Sequence, residues 1–286
     1  MKKTILSTVF SSILALFLAL ILLAGCLCIY ASSTVCDPQL LANTARSSGY
    51  CTELYEEIKY DWEDLLAITG VSEPDPILAV LTQEQVEADA IAYITASYTG
   101  SAKLDTSALK SALDEKVRAY VIPITPNGNI DDELEQNIND LVSACIKDYE
   151  SSIKIPALPK ILGTVNKAGK FLTPGLWAVA VAGIVLLVFL FFLQKKWQDT
   201  LYFAAISTAT NAVMLLSATG LAGYYKLIQR LPIDASALKT LLVSYLQKLL
   251  DALQNYGTFF ALITALLIMI YLLITLIRMQ TAKTAQ

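Results

Sequence analysis

Histidine is absent from all 286 residues. With it go His-based catalytic triads, HExxH zinc sites and imidazole metal ligation. The signatures GxxxxGK[ST], GxGxxG and GxSxG are missing as well, and with them the common phosphate-, dinucleotide- and esterase-type sites. Cysteine is scarce, at five residues. Asp, Glu, Lys and Arg are missing from four long blocks, 5–30, 176–193, 201–225 and 259–277. The sequence therefore nominates no catalytic residue, no cofactor and no metal ligand. Ion-coupled carriers place charges inside the membrane and use broken, Gly/Pro-rich helices, so transport chemistry is weakly supported.

What is present is apolar. The chain is 55% hydrophobic with a mean hydropathy of +0.55, above the roughly 45–50% of soluble domains. The excess is concentrated in the four uncharged blocks. A helix of about 20 apolar residues spans a bilayer core and satisfies its own backbone polar groups. The expected fold is thus an all-α integral membrane protein with four transmembrane helices. An extracytoplasmic helical bundle is inserted between the first and second spans. The segments are read as 1–30, 31–153, 154–174, 175–194, 200–226, 234–255, 257–278 and 279–286. In order, these are span 1, bundle, juxtamembrane segment, spans 2 and 3, an amphipathic extracytoplasmic helix, span 4 and a cytoplasmic tail.

Orientation follows from basic residues in short flanks. Lys2 and Lys3, Lys195 and Lys196, and Arg278 with Lys283 all fall on one side if both termini are cytoplasmic, although Lys226 and Arg230 run against the rule. Residues 31–172 are then extracytoplasmic. They carry 22 acidic and 11 basic residues, a net charge of −11. Such a surface repels phosphates and excludes nucleic acid as a partner.

Helix signals run through this acidic segment. Asp37-Pro38, the capping box Thr82–Gln85, Asp105/Thr106 and the acidic run from Asp131 start helices. Gly49, Gly70, Gly100 and Pro123 interrupt or end them. Leu54, Ile58, Trp62, Leu65 and Leu66 form one apolar stripe. "VSEPDP" and "ITPNGNI" read as loops. "PNGNIDDELE" has a faint calcium-loop look without EF-hand spacing. Acidic clusters such as Glu53-Glu56-Glu57 and Asp131-Asp132-Glu133-Glu135 sit in first helical turns and complement helix dipoles. The segment with Lys154, Lys160, Lys167 and Lys170 is either a surface element on anionic headgroups or a linker facing the acidic bundle.

Three features carry candidate sites. Leu23-Ala24-Gly25-Cys26 has the form of a lipobox, which makes Cys26 a candidate for lipidation. The apolar run before it is long for a signal peptide and continues beyond it, which favours an uncut helix. Cys36, Cys51 and Cys145 lie outside the spans, where a 36–51 or 51–145 disulfide could form; buried thiols are the alternative. The third span is rich in small residues, and Ser207, Asn211, Gly220 and Gly223 are assigned to helix packing, with Asn211 expected to bond a neighbouring helix. Between spans 3 and 4, Leu238, Leu242, Tyr245 and Leu249 form an amphipathic face. The helix carrying it is expected to begin near Ser236, continue into the fourth span and pack beside the bundle.

In span order and size the chain resembles permease subunits of the FtsX type, which also have a large exterior domain between the first two spans. The resemblance includes no motif. The cytoplasmic parts here are very short, 1–3, 194–200 and 278–286, and offer an ATPase little to grip. The sequence thus predicts a non-enzymatic bacterial envelope membrane protein whose exterior domain binds or scaffolds a partner. Its other contacts would be the lipid bilayer and self-association within the membrane. The alternative is a permease-like or transport-complex subunit.

Overall fold

The computed structural model describes residues 2–125, 130–194, 197–233 and 235–284, with side chains from residue 9 to residue 280. Lys195, Lys196 and residues 126–129 lie outside the described residues, as do the side chains of Lys2, Lys3 and Lys283. The helices are α1 (Lys2–Tyr30), α2 (Pro38–Ser47), α3 (Tyr50–Ile68), α4 (Asp75–Leu78), α5 (Gln83–Ser97), α6 (Ser107–Val121), α7 (Asp132–Ile153), α8 (Leu158–Leu193), α9 (Trp197–Tyr224) and α10 (Ser236–Thr284). A π-turn, Ala31–Val35, prolongs α1, and a 3₁₀ turn, Ile122–Ile124, follows α6. No strand occurs among the described residues. Four helical segments are long and apolar enough to cross a membrane, which makes this a multi-pass membrane protein.

The chain divides into two compact units. One comprises 38–166 with 232–245; the other comprises 1–37, 167–231 and 246–286.

The first unit is a bundle of amphipathic helices, and its local signals are those read from the sequence. Asp131 Oδ1 accepts the Leu134 N–H at 2.8 Å and the Thr82 hydroxyl accepts the Gln85 N–H at 3.2 Å; each satisfies a donor that the first helical turn leaves open. Gly70 and Gly100 both take a left-handed φ of +84°, a conformation that costs a side-chain-bearing residue but not glycine. At Thr106 the pattern differs. Its hydroxyl donates to Glu150 of α7 at 3.0 Å, and Asp105 accepts the Ser107 N–H instead. "VSEPDP" contains one helical turn rather than a plain loop, because α4 buries Ile77 and Leu78 in the core and Pro76 is tolerated in a first turn.

Trp62 is at the centre of this core. It is fully buried, its indole N–H donates to the Cys145 carbonyl at 3.1 Å, and its ring lies 6.4 Å from that of Tyr149. The Tyr149 hydroxyl donates to Asp89 at 2.6 Å. The polar tips of both large aromatics are thus paired while their bodies are dry. The stripe Leu54, Ile58, Trp62 and Leu66 faces inward.

Most of the segment 154–174 is helical. From Leu158 onward these residues are the first half of α8, a single helix that passes through Pro174. Leu162 is buried in the bundle core, and the Asn166 amide donates to the Tyr98 carbonyl at 2.9 Å. Pro174 removes one helical hydrogen bond, which membrane helices tolerate.

The second unit holds the apolar helices. Among them, α1 packs along α9. The Ser207 hydroxyl donates across this contact to the Ala15 carbonyl at 2.8 Å. On the other side of α9, the Thr264 hydroxyl of α10 donates to Thr208 at 2.9 Å. A Cβ on Gly257 would meet the Leu216 side chain at 3.0 Å, so glycine there permits close packing of α10 on α9. The outward sides of all four helices carry exposed Leu, Ile, Val, Phe and Trp, the inverse of a soluble surface and the expected state in lipid.

Candidate functional site

The bundle carries an open apolar groove. α3 and α6 both pack on α7, and the groove runs between their C-terminal ends. Its floor is Val117, Leu134, Ile138 and Leu141, with a volume of 560 Å³. An adjoining cavity of 470 Å³ shares Thr69, Val71, Val121, Leu134 and Asn137 and extends past Tyr120 to Ile124. Two large apolar side chains stand almost free beside it, Ile68 at 83% exposure and Ile124 at 70%. Contiguous apolar surface of this kind marks interaction sites.

Polar contacts hold the walls. Arg118 of α6 makes a two-pronged pair with Glu135 of α7 at 2.6 and 2.7 Å, and its Nε reaches Asp114 at 2.8 Å. These carboxylates push the guanidinium pKa up, and Arg118 in turn holds Glu135 below the usual carboxylate range. The fork geometry fixes α6 against α7 more specifically than a single contact. The Tyr120 hydroxyl accepts the Ser72 N–H at 3.2 Å and so ties the turn after α3 to α6; its pairing with the Ser72 hydroxyl, also at 3.2 Å, is the main cause that lowers the Tyr120 pKa. Asp131, Glu133 and Asp140 remain on the margins of the two cavities. The result is an apolar floor with an acidic rim, suited to an amphipathic, basic segment of another protein. Among the described residues, no three His, Cys, Asp or Glu side chains converge as metal ligands.

The structure distributes the sequence-nominated residues as follows. None of the five cysteines is in a disulfide. Cys51 and Cys145 are buried in the bundle core, where burial pushes their pKa values to about 11 and about 12. The Cys51 thiol points to the Ala45 carbonyl at 3.6 Å. Cys36 is half-buried, and a Cβ on Gly169 would lie 3.0 Å from its sulfur. No disulfide therefore joins Cys36, Cys51 or Cys145. Cys26 lies within the unbroken α1, buried against Ala212, Leu215 and Phe260.

The small residues of α9 separate into two sets. Ser207 and Asn211 are buried, whereas Gly220 and Gly223 are exposed with nothing within 4 Å of a built Cβ. The glycine pair therefore makes no close packing contact among the described residues, and close approach falls to Gly257. Asn211 is 1% exposed, yet neither of its amide atoms has a hydrogen-bond partner among the described residues. The expected bond to a neighbouring helix is made by Ser207 and Thr208 instead.

On α10 the amphipathic face keeps Tyr245 and begins at Ala237, one position before Leu238. Ala237 and Leu241 are buried in the bundle core and Tyr245 packs against it, while Leu238 and Leu242 are half-buried. Leu249 belongs to the other unit, and its carbonyl accepts the Tyr30 hydroxyl at 3.1 Å. The cause is at the helix start. Glu57 accepts the Ala237 N–H at 3.1 Å, and Glu53 accepts from Ser236 and Thr240. Carboxylates of α3 thus cap α10 and turn Ala237 inward.

Sequence reading missed the groove. Its one visible signal was isoleucine beyond the end of an apolar stripe, at Ile68, and again flanking Pro123. Compared with protein-family models, with curated proteins and with solved structures, the chain matches none.

Proposed function

We propose that this chain is a non-enzymatic protein of a bacterial cell membrane, with both termini cytoplasmic. Its acidic helical bundle lies outside and binds a partner protein through the groove between α3, α6 and α7. The observation that carries the reading is the apolar floor with exposed Ile68 and Ile124 beneath an acidic rim. A basic amphipathic helix would bury its apolar side on the floor and meet Asp131, Glu133 and Asp140 with its charges. The distribution of Lys2, Lys3, Lys195, Lys196, Arg278 and Lys283 supports the orientation.

A photo-crosslinking residue at Ile68 or Ala144 tests it in intact cells. The expected product is one discrete adduct with a basic membrane or envelope protein. Reversal of the rim in Asp140→Lys with Glu133→Lys should weaken that adduct, as should raised salt. An adduct indifferent to both, or none at all, defeats the reading.

A second reading has its own support. α8 and α10 are single helices, and each has residues in both units. Such helices suit a transport-complex subunit that couples its exterior domain to a partner. A stoichiometric ATPase recovered with the protein in mild detergent would favour this reading over the scaffold.

A further inference from the structure

A second cavity lies in the membrane unit, and its character is different. It occupies the space between α1, α8 and α10 and has a volume of 410 Å³. Leu18, Ile21, Val179, Gly183, Phe259 and Ile263 are among its walls, and almost no polar surface faces it. An apolar cavity of this kind excludes water. Within the bilayer the alternatives are hydrocarbon or another helix.

Its dimensions decide between them. The α1 wall runs from Leu18 to Ile29, about 17 Å at 1.5 Å per residue. Even all the empty space between the walls, about 980 Å³, corresponds to a mean cross-section of only about 60 Å², whereas a helix with side chains, 10–12 Å wide, needs about 80 Å² or more. The walls also approach closely where glycine allows. A Cβ on Gly25 would be 3.1 Å from Val179, and one on Gly183 would be 3.6 Å from Ile21. A single extended polymethylene chain fits this space and a helix does not.

One end of the cavity is polar. Tyr256 lines it, and its hydroxyl lies 3.3 Å from that of Ser33. The Tyr30 ring meets Tyr256 edge-on at 6.2 Å. Aromatic hydroxyls of this kind sit at the level of lipid headgroups. The same end of α8 is fixed by the contact of Gly169 with Cys36, just beyond the π-turn. The exposed Lys167 and Lys170 belong to that stretch of α8.

We propose that this cavity is a binding site for an anionic phospholipid. One acyl chain lies between α1, α8 and α10, and the headgroup rests against the Ser33 and Tyr256 hydroxyls within reach of Lys167 and Lys170. Burial of methylenes drives entry of the chain, and the lysines set the preference for negative charge.

The test is native mass spectrometry of the full chain. It is first reconstituted in vesicles of equal phosphatidylglycerol and phosphatidylcholine, then extracted into mild detergent. Wild type should retain one phospholipid, predominantly phosphatidylglycerol. Gly183→Leu and Ala180→Leu fill the cavity and should each lower retention by about tenfold, the effect of displacing about two buried methylenes. Lys167→Gln with Lys170→Gln should keep the lipid and lose the preference for phosphatidylglycerol. Helix content by circular dichroism confirms folding of each variant. Bound lipid of bulk composition in wild type overturns the proposal, as does retention unchanged in both filled variants.

Discussion

Asp148 sits on α7 with Asp61 near it, and one of its carboxylate oxygens is buried without a hydrogen-bond partner among the described residues. Burial, and then the Asp61 charge, push its pKa up to about 6. The folded protein therefore holds this proton more tightly than the unfolded chain does, where the value is about 4. The group's contribution to stability is complete below about pH 4 and is lost as pH rises through about 6. Asp148→Asn should thus stabilise the protein at pH 7, by about 1 kcal/mol after allowance for solvent screening, and give no gain at pH 4. Thermal melts at the two pH values check this; an equal gain at both would assign the effect to packing. Asn211 poses the related problem in lipid, where water cannot serve an orphaned amide. Replacement by leucine, similar in size, removes both unpaired groups and should stabilise the detergent-solubilised protein by about 1–2 kcal/mol. A lower melting temperature for Asn211→Leu would mean that the amide is satisfied in the membrane. The sequence displayed the polarity of Asn211 plainly. Its lack of a partner depends on which face of α9 meets α1 and α10, and periodicity within one helix does not specify that.

Helix existence was legible because caps and stripes are local. Asp131, Thr82, Gly70 and Gly100 each state an end within a few residues. The failures occur where tertiary contact overrides the local signal. The segment with Lys154, Lys160, Lys167 and Lys170 reads as a surface element or a linker, yet from Leu158 it is part of the continuous α8, and Leu162 and Asn166 are engaged by the bundle. The inward turn of Ala237 on α10 was not legible because it depends on Glu53 and Glu57, some 180 residues away in sequence. Glycine shows the same dependence on context. A Cβ on Gly163 of α8 would stand 2.9 Å from the Gly100 Cα, and backbone has little room to yield. Gly163→Ala should therefore cost about 1–3 kcal/mol, in the range of other overpacked sites. Gly175, on the same helix, has nothing within 4 Å of a built Cβ, and Gly175→Ala should stay within about 0.5 kcal/mol of wild type. Denaturation of the pair in one detergent compares them directly. Equal effects would show that α8 is not seated on Gly100.

Across the whole molecule, the charge distribution is what the sequence displays most openly. The acidic excess of 31–172 and the basic flanks of the spans are read without any structure, and they set the orientation proposed above. The groove was not legible, because it arises from the spacing of three helices that are distant in sequence. Orientation and native cysteine chemistry can be tested together. Cys51 and Cys145 are buried with thiols held at about 11 and about 12, so little thiolate forms at neutral pH. Cys26 and Cys28 lie in α1, and burial also raises the Cys36 pKa. The wild-type chain should therefore react poorly with a membrane-impermeant maleimide. A cysteine introduced at exposed Ser101 should label on intact cells, and one at exposed Met279, near the end of α10, only after permeabilisation. The opposite pattern would place the bundle and its groove in the cytoplasm, and the acidic rim would then have to be matched to a cytoplasmic partner. Strong labelling that persists in Cys36→Ser would instead contradict the burial of Cys51 and Cys145 and with it the packing around Trp62.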